Sequence, residues 1–186
     1  MRLTEKVHYI LTNHLHEGGQ AIDATAGNGY DTLFLAKQVG SSGKVIAIDI
    51  QDCAIRSTRE KLESADLIDR VKLVTDDHAA ALGKLIEANR EKIAAITFNL
   101  GYLPGSNKSI QTRAESTKAA LTASIQLLSP GGYLCVTAYR GHSGGTAEAE
   151  TVESFMRKSE KQGHAVDCYE VESSNSPPIL WVLRMN

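Results

Sequence analysis

One stretch decides the fold of this chain: Asp23-Ala24-Thr25-Ala26-Gly27-Asn28-Gly29-Tyr30-Asp31-Thr32. An apolar run precedes it and an apolar-periodic segment follows it, which predicts a strand, a glycine turn and a helix. Gly27 and Gly29 lack Cβ atoms, so the chain can bend sharply there and a ligand can approach the backbone. The start of the following helix offers unpaired N–H groups. A turn of this kind binds a nucleotide in many α/β proteins.

Around this stretch, apolar strand patterns alternate with helical patterns. The first helix is expected to end at Gly18-Gly19, and a long helix is expected to end near Leu128, before Ser129-Pro130-Gly131-Gly132. The pattern predicts strands at residues 20–24, 44–48, 71–74, 93–98, 133–139, 165–171 and 179–184, and further helices at 51–64, 79–90 and 147–162. Such alternation is typical of a parallel sheet with helices on both faces. We therefore predict one α/β domain over residues 1–186.

Composition narrows the class of protein. The chain has 186 residues, 42% apolar and 23% charged, with a net charge of −2. This charge excludes the global basic field of many nucleic-acid binders, so any RNA contact must use a local patch. Three widely spaced cysteines indicate neither a disulfide framework nor a zinc site and fit a reducing cytosol. With neither a signal-peptide core nor a membrane-length apolar run, we expect a cytoplasmic protein without membrane partner or metal.

Polar clusters follow the predicted strands, where ligands bind in parallel sheets. Asp49 ends the second strand, about 20 residues after the glycine turn, the usual spacing for a carboxylate that accepts from ribose hydroxyls. Gln51 lies two residues after Asp49. The alternative interpretation of Asp49 is a cap for the next helix, but the glycine turn favours the ribose role.

The turn itself distinguishes between two nucleotides, NAD and S-adenosyl-L-methionine (SAM). A dinucleotide fingerprint has a third glycine where this chain has Thr32, and its turn receives a pyrophosphate. Asp31 would repel a pyrophosphate but attract the ammonium of a methionine moiety. Together with Asn28 in the turn, this favours SAM.

Asp77 and His78 end the third predicted strand. The carboxylate can accept from an adenine amino group, and the imidazole can stack on or hydrogen-bond to the ring. The alternative is that Asp76 and Asp77 form a solvated turn that caps the next helix. We favour the adenine role for Asp77 and His78 and leave Asp76 open.

Asn99-Leu100-Gly101-Tyr102 follows the fourth strand with the N-x-x-Y spacing of amino-methylating enzymes. An amide carbonyl there can hold an amine N–H and aim the lone pair at a methyl group, so catalysis rests on proximity and orientation. Tyr102 can stack on a base. We take Asn99 and Tyr102 as candidate catalytic residues; the alternative is a simple turn.

A glycine-rich loop follows the fifth strand. In it, Tyr139 can stack on a base, Arg140 can pair with phosphate, and His142 can act as a base or donor, or lie incidentally in a surface loop. Lys108 is a candidate phosphate contact, although it can also be one more solvated lysine. We interpret the remaining histidines, among them His8 and His14, as structural.

Four segments together resemble the YtqB/MnmM family of class I SAM-dependent methyltransferases, formerly labelled rRNA methylases. They are residues 23–32, Asp49-Ile50-Gln51, Asn99-Leu100-Gly101-Tyr102-Leu103-Pro104-Gly105 and Tyr139-Arg140-Gly141-His142-Ser143-Gly144-Gly145. The resemblance implies a Rossmann-like fold with a mostly parallel seven-stranded sheet and helices on both faces. It also implies methylation of 5-aminomethyl-(2-thio)uridine at the tRNA wobble position, giving 5-methylaminomethyl-(2-thio)uridine, with the anticodon stem-loop as partner.

By the same resemblance, residues 139–142 face the nucleoside. The expected cofactor site comprises Asp23, Ala24, Gly27, Asn28, Gly29, Asp31, Thr32, Asp49, Gln51, Asp77, His78 and Asn99. The net charge leaves tRNA binding to a local basic patch or a homodimer. Three alternatives stay open: a methyltransferase acting on rRNA or a small amine, a SAM-binding module without catalysis, and an NAD enzyme.

Overall fold

A computed structural model describes residues 1–88, 92–101, 111–141, 143–170 and 177–186. Its helices are α1 (Leu3–Thr12), α2 (Tyr30–Gln38), α3 (Asp52–Ser64), α4 (His78–Glu87), α5 (Ala114–Leu127) and α6 (Gly145–Lys161). Its strands are β1 (Gln20–Asp23), β2 (Lys44–Asp49), β3 (Val71–Thr75), β4 (Ile93–Leu100), β5 (Leu128–Ala138), β6 (Ala165–Glu170) and β7 (Ile179–Arg184). Within the described ranges, no helix has the length and apolar character that a membrane crossing requires.

The strands form one seven-stranded sheet in the order β3-β2-β1-β4-β5-β7-β6. The strands from β3 to β5 are parallel, and β7 is antiparallel to both β5 and β6. This confirms the predicted mostly parallel sheet. The order of the strands reverses between β1 and β4, so a ligand crevice is expected outside the carboxyl ends of these two strands.

Two apolar clusters cover the two faces of the sheet, because successive strand residues point to opposite sides. Ile22 and Ile96 pack in one cluster with residues of α4, α5 and α6. Their neighbours Ala21 and Ala95 pack in the other with residues of α1, α2 and α3. Helices therefore lie on both faces, as predicted.

Most boundaries agree with the sequence prediction to within two residues, but the end of α1 and the start of β5 differ by more. α1 ends at Thr12 rather than at the glycines, because the Asn13 side chain donates to the Tyr9 carbonyl at 2.9 Å and the chain turns. The buried Leu15 continues the apolar pattern after the helix has ended. β5 begins at Leu128 rather than at Tyr133 and includes the segment 129–132 expected to separate helix from strand, since the strand tolerates a register irregularity there.

Candidate functional site

A cleft of about 1170 Å³ opens at the carboxyl edge of the sheet. Most of the predicted site residues line it: Ala24, Gly27, Asn28, Asp31, Asp49, Gln51, Asp77, His78, Asn99, Tyr139 and Arg140. The fold thus brings to one place residues that lie after five different strands. Tyr102, Lys108 and His142 lie outside the described residues, and their roles stay predictions.

The glycine turn after β1 is bound to the neighbouring elements by its backbone. The Gly27 N–H donates to Asp49 Oδ2 at 2.9 Å, and the Gly27 carbonyl accepts from the Thr58 hydroxyl at 3.2 Å. Gly29 has φ 76° and precedes α2. A Cβ atom at Gly29 would lie 2.8 Å from Thr58 Cα, so only glycine fits against α3 there.

Asp23 and Thr32 lie beneath this turn rather than in the lining of the cleft. Both are fully buried, and the Thr32 hydroxyl donates to Asp23 Oδ2 at 2.6 Å. Burial, followed by the nearby Asp31 charge, raises the pKa of the Asp23 carboxyl. Their position makes them supports of the turn, and the same holds for Gly29. Direct contact of these three residues with a cofactor stays a prediction.

The Asp49 carboxylate faces the cleft and joins the turn to the end of β2. Besides Gly27, it accepts from the Gln51 backbone N–H at 2.9 Å through Oδ1. Burial raises its pKa, while these backbone donors act in the opposite direction. A carboxylate oxygen can accept more than one hydrogen bond, so both oxygens can still accept from a diol.

Asp77, after the end of β3, both caps the next helix and faces the cleft. Its Oδ1 accepts from the backbone N–H groups of Ala79 and Ala80 at 2.8 and 3.2 Å, so it caps α4, and it also lines the cleft. Asp76 forms an exposed ion pair with Lys84 at 2.7 Å.

His78 lies buried at the start of α4, with its ring edge against Phe98 at 5.8 Å between centroids. Burial lowers the pKa of the imidazole, which is therefore neutral at pH 7. Its Nε2 has no hydrogen-bond partner among the described residues. A buried polar nitrogen without a partner is unusual, and one that lines a cleft is suited to a polar ligand.

Asn99 and Asp31 join the end of β4 to the glycine turn. The Asn99 Nδ2 donates to Asp31 Oδ2 at 2.5 Å, and the Asn99 backbone N–H donates to the Thr25 hydroxyl at 2.7 Å. On the other side of the carboxylate, His8 Nε2 lies 2.6 Å from Asp31 Oδ1. Sequence reasoning treated His8 as structural. His8 lies one helical turn after Thr4, which lines the cleft, but the sequence alone does not show that this face of α1 meets the site.

Beyond Asn99, the cleft is held by residues that sequence reasoning missed. The Thr112 hydroxyl accepts from the Gly101 N–H at 2.8 Å and donates to Glu148 Oε2 at 2.7 Å. Glu148 is buried in α6 and also accepts from the Thr117 hydroxyl at 2.5 Å. A buried carboxylate whose oxygens accept from two hydroxyls ties α6 to this wall of the cleft. No local sequence pattern distinguishes Glu148 from the exposed glutamates of the same helix.

Tyr139 and Arg140 follow β5 and line the same wall. The Tyr139 ring is 43% exposed, and burial of its hydroxyl end raises the phenol pKa. The Arg140 Nε donates to the Pro177 carbonyl at 3.0 Å, and its guanidinium lies 3.6 Å from Glu170. A phosphate at Arg140 would therefore compete with an existing acceptor.

The charged side chains that line the cleft are mostly acidic. They are Asp31, Asp49, Asp76, Asp77 and Glu115 against Arg113 and Arg140. Such a lining favours a cationic ligand and disfavours a pyrophosphate. Across the described part of the chain, no three His, Cys, Asp or Glu side chains are grouped as a metal site would require.

Seven strands with an antiparallel β7, a glycine turn after β1 and a carboxylate after β2 define the class I methyltransferase fold. Residues 45–184 match the family model described as "Putative rRNA methylase", and the chain belongs to this family. A model of protein-L-isoaspartate(D-aspartate) O-methyltransferases also matches residues 3–84.

Individual relatives agree with this assignment. The chain is 41% identical over 162 residues to a chloroplastic tRNA (mnm5s2U34)-methyltransferase of Arabidopsis thaliana, covering 83% of this chain. The chain spans only 58% of the length of that relative. These findings confirm the family resemblance drawn from the sequence.

Two solved structures match along nearly the whole chain. The first, a "putative rRNA-methylase" of Clostridium thermocellum, has a TM-score of 0.90 at 38% identity, covering 97% of this chain and 96% of that one. The second, a "putative methyltransferase" of Streptococcus mutans in complex with SAH, has a TM-score of 0.85 at 34% identity. That match covers 99% of this chain and 98% of the other. They confirm the predicted Rossmann-like fold.

Proposed function

We propose that this protein is a SAM-dependent N-methyltransferase that converts 5-aminomethyl-(2-thio)uridine to 5-methylaminomethyl-(2-thio)uridine at the tRNA wobble position. The observation that carries the proposal is the contact between Asn99 and Asp31, which places an amide oriented by a carboxylate directly beside the glycine turn. The 41% identity to the Arabidopsis tRNA methyltransferase supports the choice of substrate.

The residues of the cleft fit SAM. The turn presents glycine backbone, the Asp49 carboxylate can accept from both ribose hydroxyls, and Asp31 attracts the methionine ammonium. His78 lines the cleft, and its buried Nε2 has no hydrogen-bond partner among the described residues, which supports a contact with adenine. When bound, SAM supplies a methyl group on a positively charged sulfur, which is open to in-line attack.

The chain's own part in the reaction is binding and orientation. Because Asp31 accepts from Asn99 Nδ2, the Oδ1 end of that amide, which has no partner among the described residues, can accept an N–H from the acceptor amine. Holding one N–H directs the lone pair of the nitrogen, and a well-oriented reaction needs little further assistance. The amine must be neutral to attack, so the rate should rise with pH until the amine is deprotonated.

The acceptor and its setting complete the proposal. We place the anticodon stem-loop against the wall formed by Tyr139 and the exposed Arg113, both of which line the cleft. With a net charge of −2, tRNA binding requires a local basic patch, to which Arg113 contributes one cation, or a second copy of the chain. We further propose that the protein acts in the cytoplasm.

Nucleoside mass spectrometry tests the proposed function. Purified protein, SAM and tRNA from cells that lack the methylated nucleoside are expected to yield 5-methylaminomethyl nucleosides. Parallel reactions with rRNA and with small amines test the alternative acceptors. Methylation of rRNA or of a small amine alone would overturn the tRNA substrate. SAM binding without methylation of any acceptor would favour a binding module, and preferential NAD binding in a thermal-shift assay would reject the cofactor.

A further inference from the structure

α1 brings His8 against Asp31, whose carboxylate joins the glycine turn to Asn99 on the other wall of the cleft. The His8 Nε2 lies 2.6 Å from Asp31 Oδ1, while Asp31 Oδ2 accepts from Asn99 at 2.5 Å. The Asp31 side chain is only 9% exposed and that of His8 is 30% exposed. The carboxylate is therefore held from both sides.

The imidazole of His8 is itself fixed in orientation. It stacks on Phe34 with ring centroids 3.9 Å apart and an angle of 7° between the planes. Phe34 packs in turn against the apolar cluster on that face of the sheet. A ring stacked this closely cannot tilt without losing contact, so the direction of Nε2 toward Asp31 is determined by packing.

The orientation of the Asn99 amide depends on this carboxylate. A carboxylate only accepts hydrogen bonds, so Asn99 must turn its Nδ2 toward Asp31 and leave its Oδ1 for a ligand. If Asp31 lost its second contact, the carboxylate could rotate. The amide could then adopt the reversed orientation, in which Nδ2 rather than Oδ1 faces the acceptor.

We propose that His8 is a positioning residue, which holds Asp31 so that Asn99 Oδ1 accepts an N–H of the acceptor amine. This inference rests on the proposed function. In the transfer, the amine lone pair forms the new N–C bond, the S–C bond breaks with its electron pair on sulfur, and the product releases a proton to water. His8 acts through Asp31 and Asn99 and takes no part in these bonds.

Three variants test the inference in the full chain. His8→Ala is expected to lower kcat on tRNA about tenfold, while the KM for SAM changes less than about threefold. His8→Gln places an amide N–H near the position of Nε2 and should restore kcat to within about threefold of wild type. His14→Ala, the matched control, removes a ring that stacks on Tyr133 outside the cleft and should leave kcat unchanged. Equal losses in His8→Gln and His8→Ala, or a loss confined to the KM for SAM, would overturn the proposal.

A second measurement is independent of methylation. The side-chain amide signal of Asn99 can be assigned in NMR spectra by its disappearance in Asn99→Asp. It should shift in His8→Ala and stay in place in His8→Gln. An unchanged signal in His8→Ala would overturn the role of His8 whatever the activity. A shifted signal in a protein that methylates no tRNA would reject the proposed function while retaining the coupling of His8 to Asn99.

Discussion

The two walls of the cleft are built in different ways. The turn side (residues 24–31 and 49–51) is held mainly by backbone donors, such as the N–H groups of Gly27 and Gln51 that bind Asp49. The acceptor side (residues 99–101, 111–116 and 139–141) is held by side-chain hydrogen bonds to distant parts of the chain. Glu148 lies 36 residues from Thr112, and Arg140 lies 37 residues from Pro177.

This difference separates two tasks. Hydrogen bonds made by the backbone persist through most side-chain substitutions, which suits the binding of one unchanging cofactor. Side-chain contacts can be altered one residue at a time, which suits the recognition of an acceptor. The Asn99–Asp31 hydrogen bond crosses from one side to the other, so under the proposed function it links the geometry of the cofactor to that of the acceptor.

Removing the Asn99–Asp31 hydrogen bond should have the largest effect on methyl transfer. Asn99→Ala is expected to reduce methyl transfer to tRNA by about 100-fold or more, because the acceptor amine loses its orientation. SAH affinity, measured by calorimetry, should change by less than about tenfold because the backbone cradle remains. Thr122→Ala is the control, because the Thr122 hydroxyl donates to the Lys118 carbonyl within α5. Parallel losses of affinity and activity would contradict the separation of the two sides.

The turn side should be sensitive to a change of its backbone. Gly29→Ala is expected to lower the free energy of unfolding by about 2–3 kcal/mol, since it combines a positive φ with a Cβ contact to α3. Urea denaturation measures this change, and SAH affinity should fall with it. Gly83→Ala is the matched control: its Cβ meets nothing within 4 Å, and helix propensity should raise stability by roughly 0.5–1 kcal/mol. Similar effects at both glycines would show that the turn is not strained.

On the acceptor side, Glu148→Gln should have a smaller effect. One oxygen acceptor becomes an N–H₂ group facing a hydroxyl, which is expected to cost about 1–2 kcal/mol of stability. The KM for tRNA should rise while SAH affinity stays at the wild-type value. The exposed Glu150→Gln in the same helix controls for the loss of charge. If SAH affinity fell as much as tRNA binding, Glu148 would support both the turn side and the acceptor side, contrary to this prediction.

The last prediction concerns the direction in which stability changes with pH. Because the pKa of Asp23 is raised in the folded protein, folded Asp23 keeps a proton that the unfolded chain releases. Stability should therefore fall as pH rises above the ordinary value of 3.8 toward neutrality. Asp23→Asn removes this dependence, and urea midpoints at several pH values compare the two proteins. A wild type that gains stability relative to the variant with rising pH would contradict the burial argument.

Much of the turn side could be predicted from the sequence. The spacing between Gly27 and Asp49 predicts that they lie close together, because a strand, a helix and a second parallel strand return the chain to the same carboxyl edge of the sheet. Asn99 could also be placed at this edge, since it follows a buried strand. Its contact with Asp31 could not, because the two lie 68 residues apart and no local pattern joins them.

The sequence by itself determined the alternation of elements, the sheet type and the glycine turn after the first strand. Each of these depends on periodicity, glycine and short spacing, which act locally. Only the tertiary structure decided that His8 supports Asp31 and that Glu148 holds Thr112. Such contacts depend on how α1 and α6 pack against the sheet, and packing is decided by the shape of the whole core rather than by neighbouring residues.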